Sequence, residues 1–418
     1  MTTVRSDERA AAARRWIGAN ARALATTDPA DDLTDLEPLA SMASGAVIVG
    51  IGESTRAGRE VTALGHRVLR LLAENLGFRV LAIQDDETVV ERLDAYVRTG
   101  EGDPREALAE LWVPWRTREM LAVLEWARSF NRRHPSDPFR MIGLNPPEAR
   151  PSHYRAVLDH VAGAGGHRLD ELRRHYDTIV TAHEVPEHVQ RARGTHPGRL
   201  FADHARDALD LVASLPHADA VLDEARLILD FHSGGFAAGG FDYAATRRRS
   251  VAAMTSLLGD GTKIAYWEGM AFTANAPRLE PPALLEPFQT VGNELRRRLG
   301  AGYFSLLIGF GHGDVSGLHP GQRVPAPMAG SADAELSAAG PGLFLLDMHA
   351  PRPDAVDGWL RGPRELRGIG GIYDAAADAD HYLTTGRLDE WFDALLHVRA
   401  ITPTALLQRE HPLIRRDS

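Results

Sequence analysis

The chain contains no cysteine among its 418 residues. That absence excludes disulfides, thiolate metal sites, cysteine nucleophiles and thiol redox switches. Lysine is nearly absent too: of 47 basic residues only Lys263 is not arginine. Acidic residues number 57, for a formal net charge of −10 and a pI near 6.0. Such a balance offers no counter-charge to a phosphate backbone or an anionic bilayer, so neither nucleic acid nor membrane is an expected partner. No apolar run reaches the roughly 18 residues that a membrane span requires. The opening stretch MTTVRSDERAAAARRWIGANARALA is broken by arginines and lacks the apolar core of a signal peptide, so a soluble cytoplasmic protein is expected. Also missing are a Gly-x-Ser-x-Gly elbow and a His-Glu-x-x-His pair. Neither a serine triad nor a catalytic zinc is therefore expected, and no cofactor.

What is present is a 44% hydrophobic composition, ample for a packed core. Short continuous apolar runs recur at Val47–Ile51, Val80–Ile83, Arg140–Leu144, Lys263–Trp267, Phe304–Ile308 and Leu343–Leu346. Continuous rather than alternating runs predict strands buried on both faces. Residues 59–75 carry Val61, Leu64, Val68, Leu71 and Leu72 at helical spacing and stop at Gly77, completing a βαβ unit. Residues 6–26 read as an amphipathic helix, and 169–182, 199–215, 218–232 and 243–258 as a helical series. The expected fold class is α/β: a mostly parallel central sheet flanked by helices, with a helical insert covering its carboxyl-end crevice. Residues 1–147 and 261–418 would form the two parts of the α/β core, and 148–260 the insert.

In an open parallel sheet the ligand crevice lies beyond the carboxyl ends of the strands, so the residues there are the site candidates. They are Glu53, Ser54, Thr55 and Arg56 after the first run, then Gln84, Asp85 and Asp86 after the second. Asn145 follows the third, Glu268 the fourth, His312 the fifth, and Asp347 with His349 the sixth. Glu53, Glu268, Arg56 and Asp85 are the expected catalytic groups. A carboxylate at a buried strand end is partly desolvated, which lifts its pKa toward general-base range. Ser54, Thr55, Gln84, Trp115, Arg247, Trp267 and His312 are expected to bind substrate. Each also has a structural reading: Ser54 and Thr55 as turn or cap residues, one of Asp85 and Asp86 as a helix cap, the tryptophans as core, and Arg247 as part of a solvated run with Arg248 and Arg249.

At these residues the sequence resembles the erythromycin esterase family. The resemblance rests on Val49-Gly50-Ile51-Gly52-Glu53-Ser54-Thr55, on His66-Arg67-Val68-Leu69-Arg70 running into Asn75-Leu76-Gly77-Phe78-Arg79, and on Tyr96–Pro104. Leu124–Arg128 with Asn131–Pro135, and the closing Trp391–Val398, complete it. It implies an α/β core with a helical second part, and a deep cleft in which histidine and glutamates activate water without metal. In the family's Gly-Glu-x-Thr-His-Gly motif, Glu53 and Thr55 stand but Arg56 replaces the histidine. Gly65 replaces an arginine and Gln84 a glutamate, while Glu268-Gly269-Met270-Ala271 replaces His-Asn-x-His. Only Glu53 survives of the family's catalytic set. An arginine cannot act as a base near neutrality, so histidine-assisted hydrolysis is not expected. Two carboxylates and a fixed cation suit another reaction: one carboxylate takes a proton while Arg56 stabilises a departing anion. The expected function is a tailoring step of small-molecule, antibiotic-type biosynthesis such as ring closure, elimination or group transfer. A hydrolase with a relocated base and a non-catalytic, metabolite-binding or partner-stabilising homologue are the alternatives. The expected partner is a small polar or anionic metabolite, with another biosynthetic enzyme as the candidate protein partner.

Overall fold

A computed structural model describes residues 2–407 apart from 165, 167, 184–186, 193, 197, 234–241, 281–286, 317–321 and 371–372. It divides into two compact units, residues 1–145 with 246–418, and residues 146–245. The helix Tyr243–Ser256, read from sequence as part of the insert, thus falls mostly with the first unit.

The first unit is built on one sheet. Its strands are β1 (Arg22–Ala23), β2 (Ile48–Glu53), β3 (Val80–Asp86), β4 (Arg140–Asn145), β5 (Ile264–Gly269), β6 (Tyr303–Val315), β7 (Gln322–Val324), β8 (Leu343–Asp347) and, after the separate hairpin of β9 (Arg364–Arg367) and β10 (Tyr382–Thr385), β11 (Ala394–Ile401). They lie in the order β4-β3-β5-β2-β6-β11-β8-β1, with β7 paired to the far end of β6. The six from β4 to β11 are parallel, and β8, β1 and β7 run antiparallel to their neighbours. The expected α/β class with a mostly parallel sheet is what the chain adopts.

Side chains alternate cleanly between the two faces, as the pleat demands. Val49, Ile51, Leu81, Ile83, Ala265 and Trp267 pack in one core with the helix Arg59–Leu76. Ile48, Val80, Ala82, Ile264, Tyr266 and Tyr303 pack in another, with Val251 and Met254 of the helix Tyr243–Ser256. The glycines of β2 serve this second face rather than a turn. A Cβ at Gly50 would lie 2.2 Å from the Tyr303 hydroxyl, and one at Gly52 2.2 Å from Thr273 Oγ1. They are glycines because the neighbouring chain passes too close for a side chain.

Two strand readings are corrected. The fifth run does not end at Ile308 in a glycine-rich turn; β6 continues to Val315, with His312 in register with Ala400 of β11. The sixth run, β8, is antiparallel to β11, so Asp347 pairs with Ala394 where β11 begins. Asp347 therefore lies beside the amino end of β11, three strands from β2 and level through Leu306 with Ile51, and His349 Nε2 contacts Asp393 at 3.1 Å.

The second unit is helical. Pro151–Gly163, Leu169–Ile179, Phe201–Ala213 and Leu222–Ser233 enclose their own core of Val157, Leu172, Ile179, Phe201, Val212 and Ile228. Within it the Tyr154 hydroxyl lies between His232 Nε2 at 2.7 Å and His183 Nε2 at 3.1 Å.

Candidate active site

Glu53 is the last residue of β2 and Glu268 the last but one of β5, with Glu53 in register with Gly269. The one-residue offset sets their directions. Glu53 follows Val49 and Ile51 onto the face of Trp267, while Glu268 follows Ile264 and Tyr266 onto the other face. The two carboxylates thus emerge on opposite faces at the same rim, and Arg56 spans it. Its Nε pairs with Glu53 Oε1 and its Nη2 with Glu268 Oε1. Both glutamates are buried, and the Arg56 side chain retains 10% of its exposure.

Each carboxylate has further donors. Trp267 Nε1 donates to Glu53 Oε2 at 3.0 Å. The backbone N–H groups of Gln84 and Gly269 donate to Glu268, at 3.3 Å and 3.0 Å. The Arg56 guanidinium also stacks on aromatic rings, with Cζ 4.3 Å from the Trp115 centroid and 5.2 Å from that of Trp112. Trp115 meets Trp267 edge to face at 6.1 Å. Burial dominates the electrostatics of Glu53 and, against the pull of Arg56 and the Trp267 hydrogen bond, lifts its pKa to about 7. Burial also opposes the charge on Arg56, but Glu268 and Glu53 outweigh it, and its pKa rises. The cluster is a buried cation held by two acids, one of them poised to titrate near neutrality.

The other expected residues take distinct places. The Ser54 hydroxyl donates to Ile308 O at 3.0 Å, and Thr55 Oγ1 accepts from Ala57 N at 3.1 Å, so both hydroxyls brace the turn after β2. Gln84 is buried on the Glu268 face, where its Nε2 donates to the Tyr266 hydroxyl at 2.8 Å. Asp85 reaches the cluster indirectly: its Oδ2 accepts Trp112 N–H at 2.9 Å, fixing the turn that carries Trp112 and Trp115. Asp86 caps the helix Glu87–Thr99 through Thr88 N and Val89 N. Arg247 Nη1 donates to Gln289 O at 3.1 Å. His312 lies further out along β6, four residues and so roughly 13 Å beyond Ile308, the partner of Glu53. Gly65, marked in the sequence only as the replacement of an arginine, faces Trp267: a Cβ there would lie 2.3 Å from the ring. Among the described residues no group of three or more His, Asp or Glu side chains is arranged to hold a metal ion.

A mostly parallel sheet with two glutamates gathered by an arginine at its carboxyl rim defines an α/β protein with a buried, charged cluster. The family model described as erythromycin esterase matches residues 73–401, and the chain belongs to that family. No curated protein matches it. Among solved structures it is similar to a succinoglycan biosynthesis protein, at 22% identity and a TM-score of 0.66 over 96% of this chain and 99% of that one. A Bacillus cereus protein matches at 20% identity and 0.65, again over 96% of this chain and 99% of that one. A mutant of the erythromycin esterase EreC in its open conformation matches at 16% and 0.56, over 93% and 99%. At these identities the likenesses establish the fold.

Proposed function

We propose that this family member is a tailoring enzyme of small-molecule, antibiotic-type biosynthesis whose chemistry is not hydrolytic. Glu53 is the general base, and Arg56 holds the anion that departs. The carrying observation is the ion-paired trio itself: where the resemblance places a histidine there is a guanidinium, anchored by Glu53 and Glu268. Arg56 stays protonated and cannot shuttle protons, while Glu53, with a pKa of about 7, exchanges one at neutral pH. With Nε given to Glu53 and Nη2 to Glu268, Nη1 is the donor end left for a ligand.

In the displacement form of this reaction an N–H or O–H of the substrate gives its proton to Glu53. The freed electron pair forms the new bond to carbon, and the carbon–oxygen bond to the leaving group breaks toward that oxygen. The resulting sulfate, phosphate or carboxylate is stabilised at Arg56. Elimination follows the same course with a C–H in place of the N–H or O–H. Asp85 serves by holding the Trp112–Trp115 turn against the guanidinium.

Two assays test the reading. Erythromycin and simple aryl esters should turn over at least 10²-fold more slowly than with a histidine-bearing family member, the usual worth of a lost acid–base group. In a panel of O-sulfo, O-phospho and O-acyl metabolites, the substrate found should release its anion in ¹⁸O-labelled water without label entering either product, and Glu53→Gln should abolish release. Label in the product, or brisk erythromycin cleavage, would instead establish a hydrolase with Glu53 as a relocated base.

A further inference from the structure

The chain leaves β11 at Ile401 and then runs across the entrances of two helices. At the first, Arg59 N donates to Thr402 O at 2.8 Å and Thr404 N to Ala57 O at 3.1 Å, and Gly58 pairs antiparallel with Pro403. At the second, Arg118 N donates to Ala405 O at 2.8 Å and Leu407 N to Arg116 O at 2.8 Å, and Thr117 pairs antiparallel with Leu406. The two entrances follow directly on Arg56 and on Trp115. Residues 402–407 therefore bridge the loop carrying the cation to the turn carrying its aromatic partners.

The same carboxylate device secures both halves. Glu60, the second residue of the helix Arg59–Leu76, accepts Thr402 N at 2.6 Å and the Thr402 hydroxyl at 2.7 Å. Glu119, the second residue of the helix Arg118–Arg133, accepts Ala405 N through both oxygens, at 3.2 Å and 3.1 Å. Ser316 adds a third tie, donating its N–H to Ala57 O at 3.0 Å and sharing a short hydroxyl contact with Thr404. Ile401 packs closely on Gly58, where a Cβ would lie 2.8 Å from Ile401 Cδ1. The family match ends at Ile401, where this strap begins.

We infer that Glu60 and Glu119 are positioning residues, which through the strap 402–407 hold Trp112 and Trp115 against Arg56. Neither touches the guanidinium. Each fixes one end of a shared backbone segment, so loosening one end should free the loop at the other. An isolated structural role predicts no such transfer, and this difference makes the inference testable. Its consequence for catalysis rests on the reading of Arg56 as the working cation, but the coupling is measured without turnover.

The experiment is amide hydrogen exchange on the full chain, comparing wild type with Glu60→Ala, Glu60→Gln and Thr402→Val. Glu60→Ala should speed exchange at least fivefold in residues 112–117, on the far side of the strap, as well as in 54–60. It should also raise acrylamide quenching of Trp112, read as the difference from the same variant carrying Trp112→Phe. Glu60→Gln keeps a carbonyl acceptor for Thr402 N and should restore most of the protection. Thr402→Val, which removes only the hydroxyl bond, should give a smaller change of the same pattern and replaces Glu60→Ala if that variant does not fold. Exchange that rises in 54–60 while 112–117 and Trp112 quenching stay at wild-type values overturns the inference. Coupled loops in a protein that still hydrolyses esters would leave the strap standing and remove only the proposed reaction.

Discussion

A buried carboxylate with a raised pKa is a stability cost that the fold carries at Glu53. Its folded value of about 7 lies above the ordinary 4.5, so the folded state binds the proton more tightly than the unfolded chain. The favourable contribution is complete below pH 4.5 and is lost as pH rises through 7. Glu53→Gln removes the titration while Glu268 still neutralises Arg56. This variant should melt higher than wild type at pH 8, by up to about 3 kcal/mol, with the gain vanishing near pH 5. A thermal scan at the two pH values decides it: a variant less stable at both would mean that the Arg56 pair outweighs burial. At this scale the sequence was informative. A carboxylate ending a buried apolar run needs a partner, and Arg56, three residues after Glu53, was the evident one. The exchange of roles between Asp85 and Asp86 was not readable, because two adjacent acids at a strand end look alike until the helix start selects one as its cap.

Elements were legible where burial was continuous and obscure where glycine or direction intervened. The first four apolar runs became β2, β3, β4 and β5 within a few residues of their expected bounds. β6 ran past its expected end because Gly309, Gly311 and Gly313 read as a turn, yet they admit neighbours: a Cβ at Gly311 would lie 2.5 Å from Arg399 O. β8 read correctly as a strand, but no local pattern encodes that it runs antiparallel, and so Asp347 ends beside the start of β11 and not beside a carboxyl end. The central strand β11 was visible only as a family-like closing segment. The helix Arg59–Leu76 shows how one small residue shapes the site. Gly65 is the gap into which the Trp267 ring fits, and Trp267 in turn donates to Glu53. Gly65→Ala should gain up to about 1 kcal/mol of helix propensity and lose more to the clash, for a net destabilisation of roughly 1–3 kcal/mol. It should also shift the emission of Trp267 and the titration of Glu53. Denaturant unfolding gives the first quantity and a pH-dependent fluorescence difference the second. Unchanged values for both would place Trp267 free of that helix.

At the scale of the whole chain, the sequence disclosed an α/β core, and the helical unit starts at Pro146. Its end was harder to read, because a buried helix of the core and a helix of an insert share one periodicity; Val251 and Met254 settle it by packing with β2 and β5. Both units also contain buried histidines, which give the molecule a common response to acid. Burial lowers the pKa of His66 and His397 in the first unit to about 3, and in the second that of His232 to about 3 and of His183 to about 4. A lowered histidine pKa means that the unfolded chain binds the proton first, so stability is complete above pH 6.5 and falls as pH drops toward the folded value. Glu53 and Asp333 oppose this trend, since burial raises them to about 7 and about 6 and the folded state holds their protons. At pH 5 unfolding should therefore take up roughly four protons at the histidines and release roughly two at the carboxyls. The net of about two protons from these six groups contributes ~2.7 kcal/mol per pH unit to the fall in stability on acidification. Among the described residues His66 Nε2 meets no hydrogen-bond partner, and its ring packs edge-on to Trp126, 5.6 Å away, so its share is a burial effect that a non-titrating side chain would lose. His66→Gln should lower stability at pH 7 through poorer packing, yet flatten the slope between pH 4 and 6 by about one proton, ~1.4 kcal/mol per pH unit. Denaturant unfolding at half-unit pH steps measures both slopes, and a variant with the wild-type slope would mean that His66 is protonated in the folded protein.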